Sequence, residues 1–467
     1  MPAKIKFGTD GWRAIIANDY TVEGVMRTSE GAALWMKERQ LDKVVIGYDC
    51  RFGGLMFATA AASVFCHYGI KVVMDKNFVS TPMVSLGAVK YQAGLGVVIT
   101  ASHNPPTYNG FKLKAKYGGP SIPKEVSEVE DLIPDSTRLQ MKTLVELEET
   151  GLISFVDMED MYIKHVESSF DLPLIAPLQG QMAYDAMYGA GQNVMRRLFP
   201  QSHLLHAEYN PGFGGTAPEP IDRNLKQLSE AIRTDDNLTF GLANDGDADR
   251  IGMYDEDGVF VDSHRILLLL LKYLVEYKGL KSGKVVCSFS VTDKLKKLAN
   301  IYGLEYVTTP IGFKYIAEYM STDDVLLAGE ESGGIAVKGH IPERDGVWTG
   351  LLLMEYMAKT GKSLKELTED VFSQVGKFDY YRDDLHLTEE QKQTAVAKCK
   401  AGITSFGDIK VEKAEDLDGY KYFLDNGGWL LIRASGTEPV LRIYAQAEDM
   451  SEVRKVLDVA KETLLGA

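Results

Sequence analysis

Cysteine is scarce in this chain: Cys50, Cys66, Cys287 and Cys399 are its four, and no two form a Cys-x-x-Cys pair. That spacing argues against a zinc site or a disulfide framework and fits a reducing compartment. Long apolar runs are also missing. The longest, Ile266-Leu267-Leu268-Leu269-Leu270-Leu271, is far too short to span a bilayer, and Met1-Pro2-Ala3-Lys4-Ile5-Lys6 has no apolar signal core. A cytoplasmic protein with no membrane partner is therefore expected. Positive charge is in deficit, with 51 Lys and Arg against 66 Asp and Glu, for a net charge of -15. Neutralising a polyphosphate needs a basic surface, so no nucleic-acid partner is expected. A small anion can still bind where a site gathers cations locally. No Walker P-loop, Gly-x-Ser-x-Gly elbow, strand-following Gly-x-Gly-x-x-Gly or low-complexity segment is found.

What remains is ordinary globular composition, 45% hydrophobic and 25% charged over 467 residues. That length exceeds a single core and by itself suggests about three domains. Short β-branched runs alternate with helix-like segments, an α/β pattern. Strands are predicted at Lys43–Asp49, Met182–Asp185 and Lys284–Ser290, each opening a strand-then-helix segment, which hints at a repeated unit. Helices are predicted from near Thr292, from Thr388, and from Ser451 to the end. Boundaries near Thr150-Gly151, Asp255–Gly258 and Gly376-Lys377 divide the chain into 1–150, 151–256, 257–376 and 377–467.

Four polar clusters follow apolar runs. Thr100-Ala101-Ser102-His103-Asn104-Pro105 leaves Val97-Val98-Ile99 and sets a histidine beside a serine, as an activated nucleophile requires; an ordinary turn is the alternative. Asp245-Gly246-Asp247-Ala248-Asp249-Arg250 carries carboxylates at alternate positions, hard oxygen ligands suited to Mg²⁺ and less so to Ca²⁺ or Mn²⁺. An EF-hand would need Gly where Arg250 stands, and the flanks read as strands. Gly329-Glu330-Glu331-Ser332-Gly333-Gly334 offers carboxylates and a hydroxyl on a glycine loop, partners for sugar hydroxyls or simply a polar turn. Arg433-Ala434-Ser435-Gly436-Thr437-Glu438-Pro439 combines a guanidinium fork, hydroxyls and exposed peptide N–H groups, as a phosphate monoester site needs; a surface turn is again the alternative.

With Phe7-Gly8-Thr9-Asp10-Gly11-Trp12-Arg13, these loops stand in the order found in the α-D-phosphohexomutases, which the chain resembles from residue 7 to residue 439. The resemblance implies three related α/β domains with mixed sheets plus a smaller C-terminal α+β domain around a central cleft. The segments above would carry, in order, the phosphoserine, the metal, the sugar and the phosphate. It further implies reversible phosphoryl transfer between C1 and C6 of a hexose, through phosphorylated Ser102 and a hexose 1,6-bisphosphate that also serves as activator. Asp245, Asp247 and Asp249 would hold Mg²⁺ together with the Ser102 phosphoryl oxygen. Arg13, Lys112 and Arg250 match positions near the phosphoserine, and His103 and Lys112 both remain candidates for the general base. Lys314, Glu330, Ser332, Arg433, Ser435, Gly436 and Thr437 would bind substrate.

The Glu-Glu-Ser version of the sugar loop looks most like that of phosphoglucomutases, which points to glucose 1-phosphate; phosphomannomutase or phosphoglucosamine mutase activity is the alternative. Many relatives carry a histidine where Gly334 stands, and His340 is a candidate substitute beside a plain surface reading. A metal-dependent sugar phosphatase and a non-catalytic sugar-phosphate binder are the competing functions. Hexose phosphates are the expected partners, with a monomer or dimer as the assembly.

Overall fold

The computed structural model describes residues 4–8, 10–435 and 440–466. The predicted elements appear where their local chemistry places them. The apolar run Lys43–Tyr48 is a buried strand, and Thr292 and Thr388 cap the helices Asp293–Ile301 and Glu389–Ala401 with their hydroxyls. The tail forms the helix Met450–Leu465, whose Val453, Val456, Leu457, Ala460 and Leu464 are buried at helical spacing.

Three sheets share one order. In the first, Tyr108–Ala115 lies beside Leu95–Ile99, then Lys43–Tyr48, then Lys71–Met74. In the second the same sequence is Ile251–Tyr254, Phe240–Asn244, Met182–Asp185 and His203–Leu205. In the third it is Ile335–Val337, Val325–Gly329, Lys284–Ser288 and Tyr306–Thr309. In each set three strands are parallel and the first-named returns antiparallel. The three predicted opening strands occupy equivalent places, so the hinted repeat is a repeat of topology. It also explains where the polar clusters fall. The Ser102, Asp245 and Glu330 loops each connect the same parallel strand to its antiparallel return, so the repeat presents all three from equivalent corners.

The fourth sheet is antiparallel throughout, from Asp379–His386 to Ser405–Phe406, with the two C-terminal helices packed on one face. Its other face sets Trp429, Leu431 and Tyr444 against Phe289 of the third unit. Lys421 pins the same contact by donating to the carbonyls of Phe289 at 3.0 Å and Val291 at 3.3 Å. The architecture is thus three mixed α/β units and a smaller α+β unit. The first sheet reaches past the expected boundary at residue 150, because Ile153–Phe155 pairs with Lys71–Met74. The apolar run Ile266–Leu271 lies wholly inside the helix Ser263–Lys272, buried in the core, and among the described residues no helix is long and apolar enough to cross a membrane.

Candidate active site

Ser102 sits on the strand-to-return corner of the first sheet with φ of +52°, in the left-handed region. For a residue with a Cβ this costs about 1–2 kcal/mol, so the surroundings must impose it. Two devices do so. The Ser102 peptide N–H donates to Thr100 Oγ1 at 2.8 Å, and that hydroxyl donates to Asp49 Oδ2 at 2.5 Å. Arg51, fully buried, donates to the carbonyls of Ser102, Asn104, Pro105 and Tyr108 at 2.6 to 3.0 Å. The loop is therefore clamped from behind by a guanidinium whose hydrogen bonds all go to backbone oxygen.

In front, Ser102 Oγ donates to Asp245 Oδ2 at 2.7 Å and lies 3.3 Å from His103 Nδ1. Asp245, Asp247 and Asp249 are all buried, and each offers a carboxylate oxygen within 4.8 Å of the others. Lys112 crosses from the first unit to reach Asp247 at 2.8 Å, Asp249 at 3.1 Å and Asp10 at 2.9 Å. Asp247 Oδ1 and Asp249 Oδ1 are buried without a hydrogen-bond partner. Two orphaned carboxylate oxygens next to a third carboxylate and a serine fit a hard divalent cation, since buried acceptors are otherwise costly.

The electrostatics agree with a cleft built for anions. Burial opposes the charge of Asp247, but Lys112, Thr81 and Arg344 outweigh it and hold its carboxyl below the usual range. Burial likewise works against Asp10, and Arg344, Lys112, Lys114 and Arg13 together reverse it. For Asp245 burial dominates, reinforced by Asp247 and Asp249, and its carboxyl is pushed well up. Burial, followed by the charges of Arg250, Arg13, Lys112 and Arg51, keeps His103 neutral. Arg13 is held by Asn104 Oδ1 at 2.7 Å, and Arg250 leans on Glu219 at 3.7 Å. These cations supply locally what a net charge of -15 lacks globally.

The second and third units meet through backbone pairing of Arg250 with Gly334, which seats the Glu330 loop on the Asp245 loop. Glu330 is buried and accepts from the Gly312 N–H at 2.8 Å; Ser332 stands half-buried beside it. Burial first, then the neighbouring Glu331, pushes the Glu330 carboxyl up to about 7. A carboxyl raised above its ordinary 4.5 stabilises the fold fully below that pH and loses the contribution as pH climbs through 7. Wild type is therefore expected to lose as much as about 3 kcal/mol relative to Glu330→Gln across that window. Melting temperatures of both proteins at about pH 5 and about pH 8 measure it; an unchanged gap would refute the assignment.

Lys314 opens the helix Phe313–Thr322 and lines, with Asp10, Gly11, Ser121 and Phe313, a cavity of about 190 Å³ at the edge of the cleft. In the fourth unit Arg433 is half-buried at the end of Trp429–Ala434, and the Ser435 N–H closes the hairpin on the Val440 carbonyl at 2.9 Å. Gly436 and Thr437 lie outside the described residues.

His340 does not replace the missing loop histidine. Its imidazole is buried, stacked 3.8 Å from the Trp348 ring, and 2.9 Å from Asp345. The reason for Gly334 lies elsewhere: a Cβ there would come within 2.5 Å of the Arg344 side chain. Arg344 takes that space and ion-pairs with Asp10 and, at 2.8 Å, with Asp249. Sequence reading missed it, as it missed Arg51. It also missed Arg442, which lies directly opposite Arg433 on the neighbouring strand, a like-charge pairing that an intervening anion would relieve. No sequence signal marks the clamp: Asp49-Cys50-Arg51, directly after the strand Lys43–Tyr48, reads as an ordinary polar turn.

Four family models describe this chain in succession. They are phosphoglucomutase/phosphomannomutase domain I at residues 4–139, domain II at 160–258, domain III at 262–375, and the C-terminal domain at 386–462. The chain is 29% identical to a phosphoglucomutase/phosphomannomutase of Thermococcus kodakarensis, over 98% of both chains. It is 30% identical to a phosphoglucosamine mutase of Desulforamulus reducens, also over 98% of both. Among solved structures, a putative phosphomannomutase from Thermus thermophilus superposes with a TM-score of 0.87 at 32% identity, covering 99% of this chain and 100% of that one. The four family domains follow one another along nearly the whole chain, and the chain belongs to the phosphoglucomutase/phosphomannomutase family of α-D-phosphohexomutases.

Proposed function

We propose that this protein moves a phosphoryl group reversibly between O1 and O6 of a hexose phosphate, with Ser102 as the carrier. The observation that carries this reading is the Ser102 corner itself. A clamped, left-handed serine lies 2.7 Å from a buried aspartate triad in a cleft ringed by Arg13, Lys112 and Arg250.

The forward half-reaction breaks the P–Oγ bond of phosphorylated Ser102 and forms a P–O6 bond, releasing the O6 proton to a base. The product is a hexose 1,6-bisphosphate, which turns over in the cleft; added in trace, the same compound primes unphosphorylated enzyme. Ser102 Oγ then attacks the phosphoryl group on C1, the P–O1 bond breaks, and O1 takes a proton. His103, with Nδ1 3.3 Å from Ser102 Oγ, is placed to hold the serine proton while Oγ is the nucleophile. Lys112 is placed otherwise. All three of its ammonium directions are spent on Asp10, Asp247 and Asp249, so it acts as a fixed charge. Arg13, Lys112 and Arg250 balance the charge of the travelling group. Asp245, Asp247 and Asp249 with Ser102 would hold Mg²⁺, which when bound withdraws charge from the transferring phosphoryl oxygens. Glu330 and Ser332 would read sugar hydroxyls, Lys314 would reach the sugar, and Arg433, Ser435, Gly436 and Thr437 would hold the distal phosphate.

The preference for glucose drawn from the Glu-Glu-Ser loop is not supported by the relatives. Curated proteins 28–30% identical over nearly the whole chain are mostly phosphoglucosamine mutases, alongside the Thermococcus phosphoglucomutase/phosphomannomutase. Mannose or glucosamine phosphate therefore fits better as the preferred substrate. Incubation with Mg²⁺, a trace of the matching bisphosphate, and glucose, mannose, glucosamine or N-acetylglucosamine 1-phosphate separates the cases by phosphorus NMR. Formation of mannose or glucosamine 6-phosphate at a kcat/KM above that for glucose is expected. Exclusive use of glucose 1-phosphate would overturn the sugar assignment, and inorganic phosphate as the main product would favour a phosphatase.

A further inference from the structure

We infer that Asp418 is a positioning residue that couples the distal-phosphate arginine to the sugar-reading loops. Its two carboxylate oxygens serve different units. Oδ1 accepts from Arg433 Nε at 3.0 Å, and Oδ2 accepts from the peptide N–H of Ile311 at 2.9 Å. The next residue, Gly312, donates its own N–H to Glu330 at 2.8 Å, and the helix bearing Lys314 starts immediately after. One unbroken path thus runs Arg433, Asp418, Ile311-Gly312, Glu330, joining the fourth unit to both substrate-facing loops of the third.

The local fold is shaped to allow this contact. Asp418 precedes the strand Tyr420–Leu424, and Gly419 between them has φ of +90°. A Cβ at Gly419 would stand 2.6 Å from the Ile432 carbonyl and 3.2 Å from Arg433 Cα, so only glycine lets the turn lie this close to the arginine. Ile311 packs with Trp429 and Leu431, and Lys421 anchors the same strand on the third unit. Asp418 binds Nε alone, and among the described residues no hydrogen bond takes the two terminal guanidinium nitrogens of Arg433, which suit a bidentate anion.

The inference rests on Arg433 as the phosphate ligand, and it makes a claim that simple charge pairing does not. An aspartate that only steadied Arg433 would affect all sugars by one factor. A coupling aspartate also sets the register of Ile311-Gly312, and through it Glu330 and Lys314, so its loss alters the choice of sugar.

The Mg²⁺-loaded full-length protein, Asp418→Ala and Asp418→Asn are compared with glucose 1-phosphate and mannose 1-phosphate, with melting temperatures confirming that each variant folds. For Asp418→Ala, KM is expected to rise about tenfold or more, as for loss of a charged hydrogen bond. The kcat/KM ratio between the two sugars is expected to change about threefold or more, and amide exchange at Ile311 and Gly312 to accelerate. Asp418→Asn keeps an oxygen for the Ile311 N–H, so the sugar ratio and the exchange should return towards wild type while KM stays raised. Equal losses on both sugars with unchanged exchange would overturn the coupling while leaving the mutase reading intact. A wild type that converts no hexose 1-phosphate, the glucosamine and N-acetylglucosamine forms included, would overturn the reading beneath it.

Discussion

Ser102→Ala is expected to lose turnover by on the order of 10⁴-fold or more, with KM for the hexose phosphate little changed. The substitution removes the atom proposed to carry the phosphoryl group between half-reactions, whereas the substrate contacts proposed for Arg433, Ser435, Glu330 and Lys314 remain. It also relaxes little of the structure. The clamp of Arg51 on the loop carbonyls and the Thr100–Asp49 bond do not involve the Ser102 hydroxyl. Only the 2.7 Å hydrogen bond to Asp245 is lost, so the melting temperature should fall by at most a few degrees, which separates loss of the carrier from loss of the fold. Retention of even a tenth of the activity would show that Ser102 is not the carrier.

Removal of divalent cation with a chelator is expected to suppress activity by roughly 10³-fold or more and to lower the melting temperature by a few degrees, both restored by Mg²⁺. The cause is the crowding of three buried carboxylates within 4.8 Å, two of which have an unpartnered oxygen. Lys112 and Arg344 offset part of that repulsion, so the protein is expected to stay folded when the cation is removed. Asp247→Asn should abolish both the activity and the Mg²⁺-dependent rise in melting temperature. A variant that keeps the thermal response to Mg²⁺ would place the cation elsewhere.

Much of this site can be read from the residues alone, for a physical reason. A polar cluster directly after a buried apolar run marks a strand end, and in this fold the strand ends converge. The loops at Ser102, Asp245, Glu330 and Arg433 all carry that mark, and the apolar runs before them and at Lys43–Tyr48 and Lys284–Ser288 mark the strands. The common sheet order was only hinted at, because buried strands of different units resemble one another in composition whether or not they occupy equivalent places.

The residues that were missed share a different property. Arg344 meets Asp10 across most of the chain's length, Arg51 spends its guanidinium hydrogen bonds on backbone carbonyls some fifty residues away, and Asp418 bridges two units. Nothing in the flanking sequence of a charged residue tells whether it will be buried in such a pairing. His340 illustrates the converse: only six residues from Gly334 in sequence, it has its ring directed onto Trp348. The C2 preference is hidden for the same reason, since it rests on contacts that a sequence does not display.

Intact-mass and peptide mapping of the protein, before and after incubation with a hexose 1,6-bisphosphate, bears on the phosphoryl-carrier role of Ser102 with the least intervening inference. A single phosphoryl group should appear on the peptide containing Ser102, and a chase with unlabelled hexose 1-phosphate should transfer it to sugar and not to water. A protein that stays unmodified while turning over substrate, or that carries the group on any other residue, would contradict the account.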